Sequence, residues 1–340
     1  KQTTFIQGIQ LFRVSLPVPH TTTSGTIIES MTASADGRYT LRISHDNGVE
    51  VVTLFDAAIG SVTPVAREAG SATRISWSPV SALAVLDRRT AGGSHVLTLF
   101  DAKNPDERYT ASVRAEDERV RLQWPDHVGS VQVYVERESE IVRFGEGGEI
   151  QLGSVTPRQP WYVDTDGELW LLNPTTQLLE RSRDKEIFAA RTIDVPVRSI
   201  VHMTRERAIL DVTNGIAVLT KEGDADELRS IGADKMLYAA QQNIWLAWSP
   251  WELWSIQPNG GVTSLNRTSE PMRSVAPLDS NGTLLVTTDR ALYAFHPGYF
   301  TSLELFATAT TDAYAYQRGG TVYFLGTVAG KEGVHELPLY

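Results

Sequence analysis

VEVVTLFD, from Val49 to Asp56, returns almost unchanged as HVLTLFD from His95 to Asp101. Both runs follow a glycine-containing turn, end on Asp, and are rich in β-branched and aromatic residues, which is the composition of a strand. The unit recurs as EIVRFGEGG from Glu140, ELWLLNP from Glu168, IAVLTKEG from Ile216, WELWSIQPNG from Trp251, ALYAFHPG from Ala291 and VHELPLY from Val334. Successive starts lie 46, 45, 28, 48, 35, 40 and 43 residues apart. Eight copies in 340 residues give about 42 residues per unit, the length of one four-stranded propeller blade. The interval of 28 is out of step with the rest.

Working outward from each copy, a companion strand stands just upstream: YTLRISHDNG before the first, ALAVLDRRTAGG before the second, TLLVTTDR before the seventh and TVYFLGTVAG before the last. Such pairs read as hairpins. A further strand precedes several pairs, at ATRISWSP (72 to 79), RVRLQWP (119 to 125), VRSIVHM (197 to 203), MRSVAPL (272 to 278) and AYAYQ (313 to 317), although the fourth unit lacks a clear innermost strand. Trailing strands such as SVTPVA and SLELFATA complete a four-stranded antiparallel meander. Many strands are apolar at successive positions, as sheets buried on both faces require. The expected fold is therefore all-β, one β-propeller domain over residues 1–340, with eight blades, or seven as the alternative. The last unit has only three strands before Tyr340, while Phe5 to Leu16 is a strand without a blade. The N-terminal strand is thus expected to join the last blade and close the ring, removing two open sheet edges.

Two turns carry a family resemblance. Ile75-Ser76-Trp77-Ser78-Pro79 and Ala33-Ser34-Ala35-Asp36-Gly37-Arg38-Tyr39 resemble the SWSPDG turn of TolB-like and WD40-like propellers. Asp164-Thr165-Asp166-Gly167-Glu168-Leu169-Trp170 is similar to the D-x-D-G-x-L-W hairpins of other bacterial propellers. The Gly-His and Trp-Asp marks of true WD40 repeats are missing. The resemblance implies a setting in the bacterial cell envelope or otherwise outside the cytoplasm, with the cytoplasm as the alternative, and carries over no particular partner.

Composition narrows the classes further. Formal charge is -10, from 41 acidic and 31 basic residues, and the basic residues form no stripe, which argues against a nucleic-acid partner. No apolar run reaches the length of a spanning helix. Cysteine is absent, excluding disulfides and thiolate chemistry. The sequence starts at Lys1, so a signal peptide, anchor or further domain is expected upstream.

No catalytic signature is present. Gly92-Gly93-Ser94-His95 lacks the G-x-S-x-G elbow, and Gly145-Glu146-Gly147-Gly148 runs into a strand where a phosphate loop needs a helix. The seven histidines, at 20, 45, 95, 127, 202, 296 and 335, include no zinc-type pair. Asp224-Ala225-Asp226 and Asp164-Thr165-Asp166-Gly167 do not continue into a calcium loop, and Ser34-Ala35-Asp36-Gly37 falls one residue short of the sialidase Asp box. The reading therefore assigns no catalytic residue, no metal and no cofactor.

Two sets of residues remain as binding candidates. Trp245 to Trp254 holds four of eight tryptophans. A hairpin centred on Ser249-Pro250 would pair Trp248 with Trp251 and Trp245 with Trp254, the second pair being the more buried. Trp248 and Trp251 then serve either blade packing or an exposed aromatic platform. Arg74, Arg121, Arg198 and Arg273 stand at corresponding positions near the starts of innermost strands, where they would form a basic rim for an acidic ligand. The expected function is a non-enzymatic module holding a protein, peptide or glycan on one ring face. The alternative is a propeller hydrolase or lyase with active groups assembled around the tunnel, recognisable by charged groups converging within about 5 Å.

Overall fold

The computed structural model describes residues 5–6, 9–10, 17–19, 28–69, 72–90, 92–114, 120–127, 129–184, 186–188, 193, 195–222, 225–299, 301–308 and 310–339. Strands account for nearly all the regular structure; one 3-10 turn, Pro297–Tyr299, is the only helical element among these residues. The strands form eight successive antiparallel sheets, the blades of an eight-bladed β-propeller.

Blade 1 runs Ile28–Ala33, Tyr39–Asp46, Val49–Asp56, Ser61–Ala69, each strand bonded to the next. Blades 2, 3, 5, 6 and 7 repeat this order over 72–113, 122–154, 197–231, 235–267 and 272–307. Blade 4 keeps three strands, Trp161–Val163, Leu169–Leu172 and Leu179–Arg181, with a single bridge from Glu180 to Ile187 in the fourth position.

Blade 4 also explains the interval of 28. In seven blades the repeating run is the third strand, whereas ELWLLNP covers the second strand of blade 4. Its third strand begins at Leu179, 39 residues after Glu140 and 36 before Gly215, which restores the period. The innermost strand that the sequence did not reveal is Trp161–Val163.

Blade 8 consists of Thr310–Tyr316, Thr321–Val328 and Lys331–Pro338, with Val18–Pro19 added at the edge. Val18 faces Glu336 and Pro19 faces His335. The N-terminal segment thus completes the last blade through residues 18–19, beyond the Phe5 to Leu16 stretch expected to do so. Phe5–Ile6 pairs with Ile9–Gln10 in a separate small sheet, and 11–16 lie outside the described residues. Gly37 takes φ +68° beside the same blade; a Cβ there would fall 1.8 Å from the Ala315 carbonyl oxygen.

By contacts the chain divides into two compact units. In the first, comprising Lys1–Trp77, Met236–Ser255 and Thr263–Tyr340, blade 7 shows how both faces become buried. All five residues of Leu284–Thr288 are buried. Val286 packs with Leu246, Trp248 and Leu253 of blade 6, while its neighbour Leu285 packs with Ala315, Val322 and Phe324 of blade 8. Alternate side chains of one strand therefore serve opposite neighbours, as the two-residue period dictates.

The second unit is Ser78–Lys235 with Ile256–Val262. Here Val85, Leu97 and Leu99 of blade 2 meet Val133, Val135 and Phe144 of blade 3. Tyr134 and Ile141 of blade 3 meet Trp161, Val163 and Leu169 of blade 4, and Trp170 and Leu179 of blade 4 meet Leu210 and Leu219 of blade 5.

Candidate functional site

The tryptophan hairpin turns one residue later than its sequence suggests. Ser249 N–H donates to the Glu252 carbonyl over 2.9 Å, so Pro250 and Trp251 are the two turn residues. Proline at the second position and serine at the first are what such a turn prefers. Trp248 consequently ends a strand and lies buried with Leu246 and Leu253, while Trp251 is the one exposed tryptophan of the eight, at 53%. Trp254 is buried and Trp245 is only half-buried, packed on Tyr238 at 5.0 Å between ring centroids. Burial therefore follows Trp248 and Trp254, not Trp245 and Trp254: Trp248 joins the apolar cluster of Leu246 and Leu253, whereas Trp245, near the far end of its strand, lies half-buried against Tyr238.

Trp251 is held by its backbone. Its N–H donates to Ser249 Oγ (3.2 Å), its carbonyl accepts from Thr268 N–H (3.0 Å), and the Pro250 carbonyl accepts from Met272 N–H (2.7 Å). The turn of blade 6 is thereby laced to the segment that leads into blade 7. Arg267 at one end of that segment is paired with Glu252, and Arg273 at the other with Asp289. Between them Glu270 receives Thr288 Oγ1 (3.1 Å) and faces Arg290 at 3.6 Å. Arg267 and Arg290 are each 81% exposed. The structure thus brings two sequence candidates, Trp251 and Arg273, into one loop cluster of the first unit.

The other candidates lie elsewhere. Arg74 sits half-buried on the innermost strand of blade 2. Arg121 donates to Glu136 (2.7 Å) and to the Gln159 carbonyl (3.0 Å), and Glu136 also accepts from Trp161 Nε1 (2.5 Å), which ties blade 3 to blade 4. Arg198 donates to the carbonyls of Val212 and Thr213, both at 2.6 Å, with Asp211 at 3.8 Å.

Arg198 and Arg273 do share a repeat position in a strict sense. Each is the extra residue of a β-bulge in its innermost strand, between Val197 and Ser199 and between Met272 and Ser274. Glu29 holds the same place in blade 1, paired with His45 at 2.9 Å. A bulge re-aims its side chain, and here the three side chains turn to the end of the second strand of their own blade.

Sequence reasoning missed a cluster in the second unit. Tyr162, from the innermost strand of blade 4, donates its phenol to Asp126 Oδ2 over 2.5 Å, and Asp126 lies on the loop after the innermost strand of blade 3. His202 Nδ1, near the end of the innermost strand of blade 5, stands 3.1 Å from the phenol and 3.4 Å from the carboxylate. The phenol has one proton and gives it to Asp126, so Nδ1 is the donor toward both oxygens. Burial drives the Tyr162 pKa far above its ordinary value, and the Asp126 charge adds to it. The separations of 36 and 40 residues, about one blade each, were the signal available. That spacing points to a cluster only once Trp161–Val163 is known as the innermost strand of blade 4.

No protein-family model and no curated protein sequence matches the chain. Solved structures are similar to it. The dihydro-heme d1 dehydrogenase NirN in complex with DHE aligns at TM-score 0.52 and 14% identity over 83% of this chain and 66% of that one, just under two thirds of its length. Apo AztD from Citrobacter koseri aligns at TM-score 0.51 and 11% identity over 87% and 94%. The WD40 domain of SCAP from fission yeast aligns at TM-score 0.49 and 10% identity over 97% and 98%. What the NirN and AztD likenesses show is the fold alone, and the chain is a β-propeller. No helix among the described residues is long and apolar enough to cross a membrane.

Proposed function

We propose that the chain is a binding module that recognises a protein, peptide or glycan through the loops joining blades 6 and 7. The observation that carries this reading is Trp251, a large apolar side chain left half in water on a turn fixed by Ser249, Thr268 and Met272. An indole carried on a backbone fixed before its ligand arrives has only its side-chain rotations to lose on binding, and aromatic and arginine side chains dominate binding hot spots. The resemblance to TolB-like propellers supports a setting outside the cytoplasm. Immobilised protein and its Trp251→Ala variant, challenged with native envelope extract, test the reading. It predicts a ligand retained by the first and lost by the second, and equal retention by both would refute it.

A second reading follows from Asp126, Tyr162 and His202. A carboxylate, a phenol and an imidazole from three blades meet within 3.4 Å, the kind of convergence a propeller hydrolase or lyase needs. Turnover of an ester, glycoside or uronide substrate that disappears in His202→Gln would support it.

A further inference from the structure

We infer that the ligand of the Trp251 face is a neutral carbohydrate, an inference that rests on the binding reading above. The charged groups on the turn and segment that carry Trp251, and on the strand end beside them, decide its class. Three arginines, Arg267, Arg273 and Arg290, are set against three carboxylates, Glu252, Asp289 and Glu270. The six charges cancel within their pairs, and Glu304, which flanks Tyr293 together with Glu270, leaves one surplus negative charge. Such a surface exerts little net pull on a polyanion or polycation, and long-range steering of a charged partner requires a strongly unbalanced field.

What the pairs do provide is donors beside acceptors at fixed spacing. A guanidinium offers N–H groups in a planar fork and a carboxylate offers only lone pairs. A vicinal diol of a pyranose both donates and accepts at each hydroxyl, so it can bridge one such pair without leaving either charge unsatisfied. The opposite face of the same sugar ring is a patch of C–H groups, which carry slight positive charge and settle on the negative face of an indole. Peptides match this surface less well: an apolar side chain would want a pocket, whereas Trp251 projects from a turn and its flanking arginines are solvated.

The exposure of the arginines also sets the strength. Solvated ion pairs contribute little each, so the single stacked ring supplies most of the affinity and one sugar unit binds weakly. A polymer presenting the same unit repeatedly would bind better than its monomer.

The test uses the intact chain and a panel of soluble neutral hexasaccharides with gluco, manno, xylo and N-acetylglucosamino backbones, together with polyglutamate and polylysine. Binding is followed by tryptophan fluorescence and calorimetry. At least one neutral hexasaccharide should bind, weaken by about tenfold or more in Trp251→Ala, be largely restored in Trp251→Phe, and show little dependence on salt. No binding to any neutral hexasaccharide at millimolar concentration overturns the carbohydrate assignment. Salt-sensitive, Trp251-dependent binding of polyglutamate or polylysine also overturns it, yet leaves the binding reading standing. Equal retention of envelope ligands by wild type and Trp251→Ala would remove the reading beneath it.

Discussion

The phenol of Tyr162 donates to Asp126 across the seam between blades 4 and 3, over 2.5 Å, with His202 of blade 5 closing the group. Three blades are therefore pinned at one point by polar groups, next to the apolar cluster of Tyr162, Met203 and Leu210. Tyr162→Phe leaves Asp126 without its shortest bond and is expected to cost about 1–3 kcal/mol. Combining it with His202→Gln in a double-mutant cycle should give less than the sum, because both changes break the same group. Thermal denaturation of the four proteins measures this, and strict additivity would show the residues to be independent.

Glycine substitutions separate backbone strain from steric closure. Gly48 has φ +78° and open space around its missing Cβ, so Gly48→Ala should cost about 1–2 kcal/mol for the left-handed backbone alone. Gly37 has a similar φ of +68° but lies against the Ala315 carbonyl. Gly37→Ala must push the two blades apart as well, and its melting temperature should fall well below that of Gly48→Ala.

Two aspartates respond to acid in opposite senses. Burial works to raise Asp56, but the two-pronged Arg38, at 3.0 and 2.9 Å, and the Ala58 N–H outweigh it and hold the carboxyl below its ordinary value. Its stabilisation is present above the unfolded pKa and is lost as pH falls through the folded one. Burial lifts Asp312 above its ordinary value, with the Met31 N–H pulling the other way. The native state therefore holds that proton longer, and stability declines as pH rises from the unfolded to the folded pKa. Asp56→Asn should flatten the acid limb of a melting-temperature profile. Asp312→Asn, which keeps an acceptor for Met31 N–H, should melt no lower than wild type at pH 7, the difference shrinking toward pH 3.

Arginines at similar repeat positions are expected to differ. Arg121 joins Glu136, the Gln159 carbonyl and, through Glu136, Trp161. Arg121→Met should destabilise the fold by about 1–3 kcal/mol, since it strands a mostly buried carboxylate. Arg273 and Asp289 are both exposed, and Arg273→Met should change folding stability by less than about 0.5 kcal/mol while weakening ligand binding. Chemical denaturation together with binding measurements tests both statements.

The repeat was legible because the third strand of most blades is buried on both sides and in blades 1, 2, 5 and 8 follows a glycine-containing turn, so that VEVVTLFD and HVLTLFD stand out from their surroundings. Blade 4 departs from the sequence pattern because its third strand, Leu179–Arg181, carries one apolar residue in three and offers no such contrast. The Trp hairpin turns one residue beyond the Ser249-Pro250 centre that its symmetric tryptophans suggest, because proline favours the second place in a turn. Asp126, Tyr162 and His202 share no local motif; they meet only because three consecutive blades each contribute one residue. Arg273 and Trp251 were visible as types, but the lacing through Thr268 and Met272 that brings them together is a matter of backbone hydrogen bonds, which no side-chain pattern encodes.

Val18 faces Glu336, so the final blade is assembled from the earliest and latest parts of this sequence. During synthesis from the N-terminus, Val18 emerges long before its partner and must wait for nearly every intervening strand. Loop-closure entropy grows only logarithmically with length, so the long wait adds little to the thermodynamic penalty. It does place that pairing among the last events of folding, and it makes the seam at blade 8 the natural point at which mechanical or thermal opening begins.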